Sequence, residues 1–123
     1  MRRRSATLTE QELEIMKIVW DRDPVTVRDV YEALLERRKV AYTTVMTMMK
    51  ILEQKGRLKK TQSERAYVYR AAQPKGQVIG AMVREFVNRV FNGSAEPLLV
   101  HLVEDHDLSQ EDLDEIARLR RQS

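Results

Sequence analysis

The chain of 123 residues has no cysteine, which excludes disulfides, thiolate metal sites and cysteine nucleophiles. Histidine is almost as scarce. His101 and His106 are the two present, and their spacing does not put two ligands on one helix face as an i, i+4 spacing does. With Glu104, Asp105 and Asp107 they read as a solvated helix end, not a metal site. The four glycines form no phosphate-cradling loop. No apolar run approaches the roughly 18 residues of a membrane helix. The basic opening MRRRSATLTE has no apolar run behind it, so neither a signal peptide nor a transit peptide is expected. Glu10, Glu12 and Glu14 sit at a helix start, where the helix dipole explains them better than acid–base chemistry. These absences lead to the expectation of a soluble cytoplasmic non-enzyme, without cofactor, metal or membrane partner.

Charge is present in quantity and unevenly placed. Residues 1 to 72 carry 16 Lys/Arg against 10 Asp/Glu, and residues 73 to 123 carry 6 against 9. From Arg37 to Arg70 there are 10 basic residues, with Glu53 and Glu64 the sole acids. Such a concentration calls for an acidic partner, and DNA phosphate is the commonest. A chain of this length forms one domain, or two small units that share surface with something else.

The basic region surrounds the stretch AYTTVMTMMKILEQKG, Ala41 to Gly56, which has two helical faces. At helical periodicity Ala41, Val45, Met48, Met49 and Leu52 fall on one side, and Thr43, Thr47, Lys50 and Gln54 on the other, with Thr44 and Met46 at the margins. The first side packs. The second is narrow and rich in hydroxyls and donors, as suits a DNA major groove. Gly56 ends the helix, and Arg57–Gln62 and Ala66–Ala71, separated by Ser63-Glu64-Arg65, read as a hairpin.

Before this stretch, Thr9 and Glu12 form a capping box ahead of a helix from about Glu10 to Trp20. Its inner residues are Leu13, Ile15, Met16, Ile18, Val19 and Trp20. Pro24 breaks it. Thr26 and Asp29 cap a second helix to about Arg37, with Val27, Val30, Tyr31, Leu34 and Leu35 inward. Two helices joined by a tight turn, the second with an exposed polar face, are a helix-turn-helix, and the hairpin after them is a wing. Thr43, Thr47 and Lys50 are the expected base contacts, and Arg57, Lys59, Lys60 and Arg65 the expected phosphate contacts. Arg2, Arg3 and Arg4 form a basic arm that either lies on phosphate or stays in solvent.

Pro74 and Gly76 mark the end of the first unit. Beyond them Val78, Ile79, Met82, Val83, Phe86, Val87, Val90 and Phe91 make a broad apolar stripe. Asn92-Gly93 ends that helix and Ser94 is expected to cap the next, with Leu98, Leu99, Leu102 and Val103 inward. Ser109 and Asp112 cap a last helix whose Leu113, Ile116, Ala117 and Leu119 are buried candidates. These helices bury too little by themselves to offset the entropy of ordering them. A homodimer held by Val83, Phe86, Val87, Val90, Leu98, Leu99 and Leu102 resolves this; the alternative is that the helices fold back on the first unit.

In that order LTEQELEIMKIVW, TVRDVYEAL, AYTTVMTMMKILEQKG and RAYVYRA resemble the penicillinase repressor family, the BlaI, MecI and CopY type transcriptional repressors. The likeness extends through PLLVHLVEDHDLSQEDLDEIARL. It implies a mainly α fold with a small β-hairpin: a winged helix-turn-helix over residues 1–73, then a helical dimerisation domain over 74–123. It also implies binding to double-stranded inverted-repeat operators with TACA and TGTA cores, at β-lactamase or other stress and resistance genes. By position Thr43, Thr44 and Thr47 then face DNA, Met46 lies beside them, and the wing near Arg65 and Tyr67 touches backbone. Members inactivated by a sensor-controlled protease are cut at an Asn-Phe pair. The matching positions here read Val100-His101-Leu102-Val103, which marks His101 and Leu102 as the corresponding bond. The alternative from another class is a winged-helix protein-interaction module without specific DNA binding.

Overall fold

The computed structural model describes residues 8–64 and 66–122, with side chains to residue 120. In chain order it contains α1 (Glu10–Arg22), α2 (Val27–Leu35), α3 (Tyr42–Gln54), β1 (Leu58–Ser63), β2 (Ala66–Ala71), α4 (Lys75–Phe91), α5 (Glu96–Asp105) and α6 (Gln110–Gln122). Contacts divide it into two compact units, Met1–Met82 and Val83–Ser123.

Local side-chain chemistry sets three of the six helix starts. At Thr9 and Thr26 the hydroxyl accepts from the third amide of the helix, and Glu12 and Asp29 accept in return, so both capping boxes form. Ser109 and Asp112 exchange the same pair of bonds, 2.9 and 3.1 Å. Ser94 does not cap α5. Its N-cap is Ala95, without a side-chain bond, and a proline stands in the first turn, where a missing N–H costs nothing. Helix α1 runs two residues beyond Trp20, to the Asp23 cap just before Pro24.

The first unit is built around Ile15, Met16 and Val19 of α1, Val30, Ala33 and Leu34 of α2, and Val45, Met49 and Leu52 of α3. Leu58, Tyr69 and Val78 close it. Tyr69 exchanges backbone bonds of 2.7 and 2.9 Å with Val25, which pins β2 to the α1–α2 link. Several expected core positions differ: Leu13, Val27 and Tyr31 are half-buried at the edge of the core. Leu35 is 43% exposed and Ala33 is buried in its place, because Val30, Ala33 and Leu34 form the i, i+3, i+4 stripe and Leu35 falls beside it. Trp20 is half-buried and acts as a tie: its indole N–H donates to the Gln73 carbonyl at 3.1 Å.

The second unit contrasts with the first. From Val83 to Arg120 no residue is buried. Phe86 meets Phe91 edge-on at 5.8 Å, and Phe91 lies 6.2 Å from the His101 ring. Val83, Phe86, Val90, Leu99, Leu102 and Ile116 are all exposed. No described helix is long and apolar enough to cross a membrane.

Candidate nucleic-acid interface

The packed face of α3 is fixed by Val45, Met49 and Leu52, each no more than 1% exposed. That anchors the opposite face outward, and Thr43, Thr44, Met46, Thr47 and Lys50 are all exposed on it. Of the positions expected inward, Met48 is half-buried, and Ala41 is exposed because it is the N-cap of the helix. The Thr47 hydroxyl donates to the Thr43 carbonyl at 3.0 Å. With its proton so engaged, Thr47 presents lone pairs and a methyl group to a partner. The surface therefore accepts and makes apolar contact at Thr47, and donates at Lys50.

Both ends of α3 are held. At its end, the Gly56 amide reaches the Glu53 carbonyl (3.0 Å) and the Arg57 amide reaches the Leu52 carbonyl (2.9 Å). Gly56 has φ 78°, the left-handed conformation this closure requires, which a side chain would oppose. Lys55 Nζ meets Glu12 Oε2 at 2.7 Å, tying the end of α3 to the start of α1. Burial would raise the Glu12 pKa, but hydrogen bonds from Lys55 and Thr9 outweigh it and hold the carboxyl below its ordinary value. The Glu12 carboxylate therefore stays ionised at neutral pH. In the turn before α3, Arg38 bonds to Glu14 at 2.8 Å.

The hairpin is antiparallel, with Leu58 opposite Ala71, Lys59 opposite Arg70, Lys60 opposite Tyr69, and Gln62 opposite Tyr67. Ser63 is the last residue of β1, paired with Ala66, so the connection is shorter than the expected three-residue spacer. Glu64 adopts φ 49° there. Side chains alternate across a strand, so Leu58, Lys60, Gln62, Tyr67 and Tyr69 share one face. Lys59 and Arg70 share the other. Leu58 and Tyr69 pack inward, and farther along the same face Lys60 Nζ lies 4.5 Å from the centre of the exposed Tyr67 ring.

Adjacent in sequence, Lys59 and Lys60 are therefore placed on opposite faces, and on the Lys59 face Arg70 reaches Asp23 at 3.8 Å. Arg57 is half-buried at the corner before β1, its carbonyl accepting from Ala72 at 2.9 Å. Arg65 and the arginines at positions 2 to 4 lie outside the described residues.

Among the C-terminal candidates, Val83, Phe86, Val90, Leu99 and Leu102 are exposed, and Val87 and Leu98 are half-buried. Of the residues expected to be buried on α6, Leu113 is half-buried and Ile116, Ala117 and Leu119 are exposed; Val100, which had no place in the expected set, is exposed as well. His101 and Leu102 lie in the middle of α5, both exposed.

A cluster at the start of α3 is missing from the sequence reading. The Tyr42 ring meets Tyr31 edge-on at 5.3 Å, and the Arg28 guanidinium carbon is 5.9 Å from the same ring centre. The available signal was the i, i+3 spacing of Arg28 and Tyr31, which puts both on one face of α2.

The family described as "Penicillinase repressor" matches residues 8–122. Among curated relatives, "Transcriptional regulator BlaI" of Mycobacterium tuberculosis is 37% identical over 99 residues, covering 79% of this chain and 72% of that protein. "Penicillinase repressor" of Bacillus licheniformis is 26% identical over 112 residues, covering 91% and 88%. The fold is similar to the solution structure of the DNA-binding domain of the repressor BlaI, with TM-score 0.52 and 25% identity over 61% of this chain and 90% of that one. It is also similar to the B. licheniformis BlaI monomeric form in complex with the blaP half-operator, with TM-score 0.51 and 26% identity over 57% and 85%.

Proposed function

The chain belongs to the penicillinase repressor family, and from that premise we propose that it is a dimeric transcriptional repressor binding inverted-repeat operators, at β-lactamase or other stress and resistance genes. Residues 1–73 serve DNA and residues 74–123 serve dimerisation. The observation that carries this reading is the outward face of α3, where Thr43, Thr44, Met46, Thr47 and Lys50 stand exposed behind a fully buried anchor. Threonine methyls contact thymine methyl groups, threonine oxygens meet base-edge donors, and Lys50 reaches guanine or phosphate. The B. licheniformis BlaI neighbour is described in complex with its half-operator, which supports carrying the DNA reading to this chain.

Thr47→Ala should weaken binding to a duplex carrying the TACA and TGTA inverted repeat by roughly 1 to 3 kcal/mol, with little change on random duplex. Titration of both duplexes checks this. Equal losses on the two would remove Thr47 from base recognition. Absence of salt-dependent duplex binding by the native protein would favour a protein-docking module instead.

The wing supplies charge without base recognition. Its two lysines point to opposite faces, so on this reading they engage the phosphate backbone unequally. Lys60, held over Tyr67, is the phosphate contact on this reading. Lys60→Ala should flatten the log–log salt dependence by about 0.9 for each protomer engaged, while Lys59→Ala leaves the slope unchanged. The reverse pattern would turn the other face of the hairpin toward DNA.

A further inference from the structure

The wing follows the end of α3; at its beginning stands Tyr42, the first residue of the helix. Its ring is fixed from two sides. Tyr31 of α2 meets it at 5.3 Å with the planes 84° apart, and Arg28, also of α2, places its guanidinium carbon 5.9 Å from the ring centre. The three residues thus span the turn of the helix-turn-helix and join the two helices that flank it. Tyr42 is 37% exposed, so the cluster reaches the surface.

Arg28 has a carboxylate neighbour, Glu32, at 3.7 Å, and both side chains are well exposed. Such a pair is weak and yields to salt or to a better anion. An aromatic ring, by contrast, orients a guanidinium without consuming its N–H donors. A phosphate contact needs this combination: a permanent charge, directional donors and a side chain already partly ordered. In a helix-turn-helix the helix before the recognition helix crosses the nucleic-acid backbone, and Arg28 lies in its first turn.

We propose that Arg28, oriented by the Tyr42 ring, is a second backbone contact, at the opposite end of α3 from the wing. The proposal rests on the operator-binding reading. Arg28 makes the contact and Tyr42 is a positioning residue, so the ring matters and its hydroxyl does not. With contacts at both ends, α3 would be seated along the groove as well as in it.

The test uses the full-length protein on an inverted-repeat duplex and on random duplex, across a salt series, with ethylation interference to locate the phosphates contacted. Arg28→Gln should weaken both duplexes alike, lower the log–log slope by about 0.9 per protomer, and make binding indifferent to ethylation at one phosphate per half-site. Tyr42→Phe should behave as native, and Tyr42→Ala should shift toward Arg28→Gln. Glu32→Gln should bind at least as tightly as native.

A native slope and native interference pattern in Arg28→Gln would overturn the proposal alone, and that exposed substitution leaves folding intact. A Tyr42→Phe variant as weak as Tyr42→Ala would overturn the positioning role of the ring. Failure of the native protein to bind duplex in a salt-dependent way would overturn the operator-binding reading, and this inference with it.

Discussion

Phe86→Asp should convert the protein to monomers and lower its affinity for a full inverted repeat by roughly 10²- to 10⁴-fold, the advantage that linkage of two binding modules supplies. Phe86 is 39% exposed, resting on Phe91. Its neighbours on the same helix include Val83 and Val90, about half exposed at 50% and 49%. A second copy that covers this stripe must bury the residue at 86, and an unpaired carboxylate there is strongly disfavoured. The first unit has its own core, so each monomer should still bind a half-site weakly and with unchanged salt dependence per protomer. Sedimentation and titration against half and full operators read these effects separately. A stable dimer with full operator affinity would place the interface elsewhere.

The second large effect is on stability. Leu52→Ala should cost about 2–5 kcal/mol, the range for emptying a buried leucine site, while Ile51→Ala next to it costs under about 1 kcal/mol. Leu52 is 0% exposed and Ile51 is 39% exposed. The loss at Leu52 is a large fraction of the roughly 5–15 kcal/mol that holds a typical domain. Its position adds to the consequence, because the Leu52 carbonyl accepts the Arg57 amide that turns the chain into the wing. Chemical denaturation of the two variants checks the contrast; similar midpoints would mean that α3 is not anchored through this face.

What could be read from the residues follows from the range of the interactions. The boxes at Thr9 and Thr26 were legible because a hydroxyl and a carboxylate three residues apart settle the matter between themselves. The two faces of α3 were legible because Val45, Met49 and Leu52 repeat with the helix. Leu35 and Ser94 were misplaced: the buried stripe of α2 runs through Ala33 and leaves Leu35 beside it, and α5 starts from Ala95, one residue past the capping hydroxyl. Alternation already separated Lys59 from Lys60, but the row of basic residues hid it; the register opposite Arg70 and Tyr69 makes the separation plain. The Arg28–Tyr42 contact was not legible as a pair, since it depends on how tightly the turn brings α2 and α3 together. The bond from Trp20 to Gln73 spans 53 residues, and no sequence window of ordinary width contains both.

The segment from Val83 to Arg120 has no interior of its own. If a second copy supplies that interior, the melting temperature of these helices is a property of the solution as much as of the molecule, because mass action sets how many are covered. Abundance then acts twice on the same quantity. More protein raises the occupancy of the operator, and it also raises the fraction of chains assembled well enough to occupy it. On that reading the response of a promoter to the amount of such a protein is steeper than a simple binding curve, and the steepness arises from assembly, not from the outward face of α3.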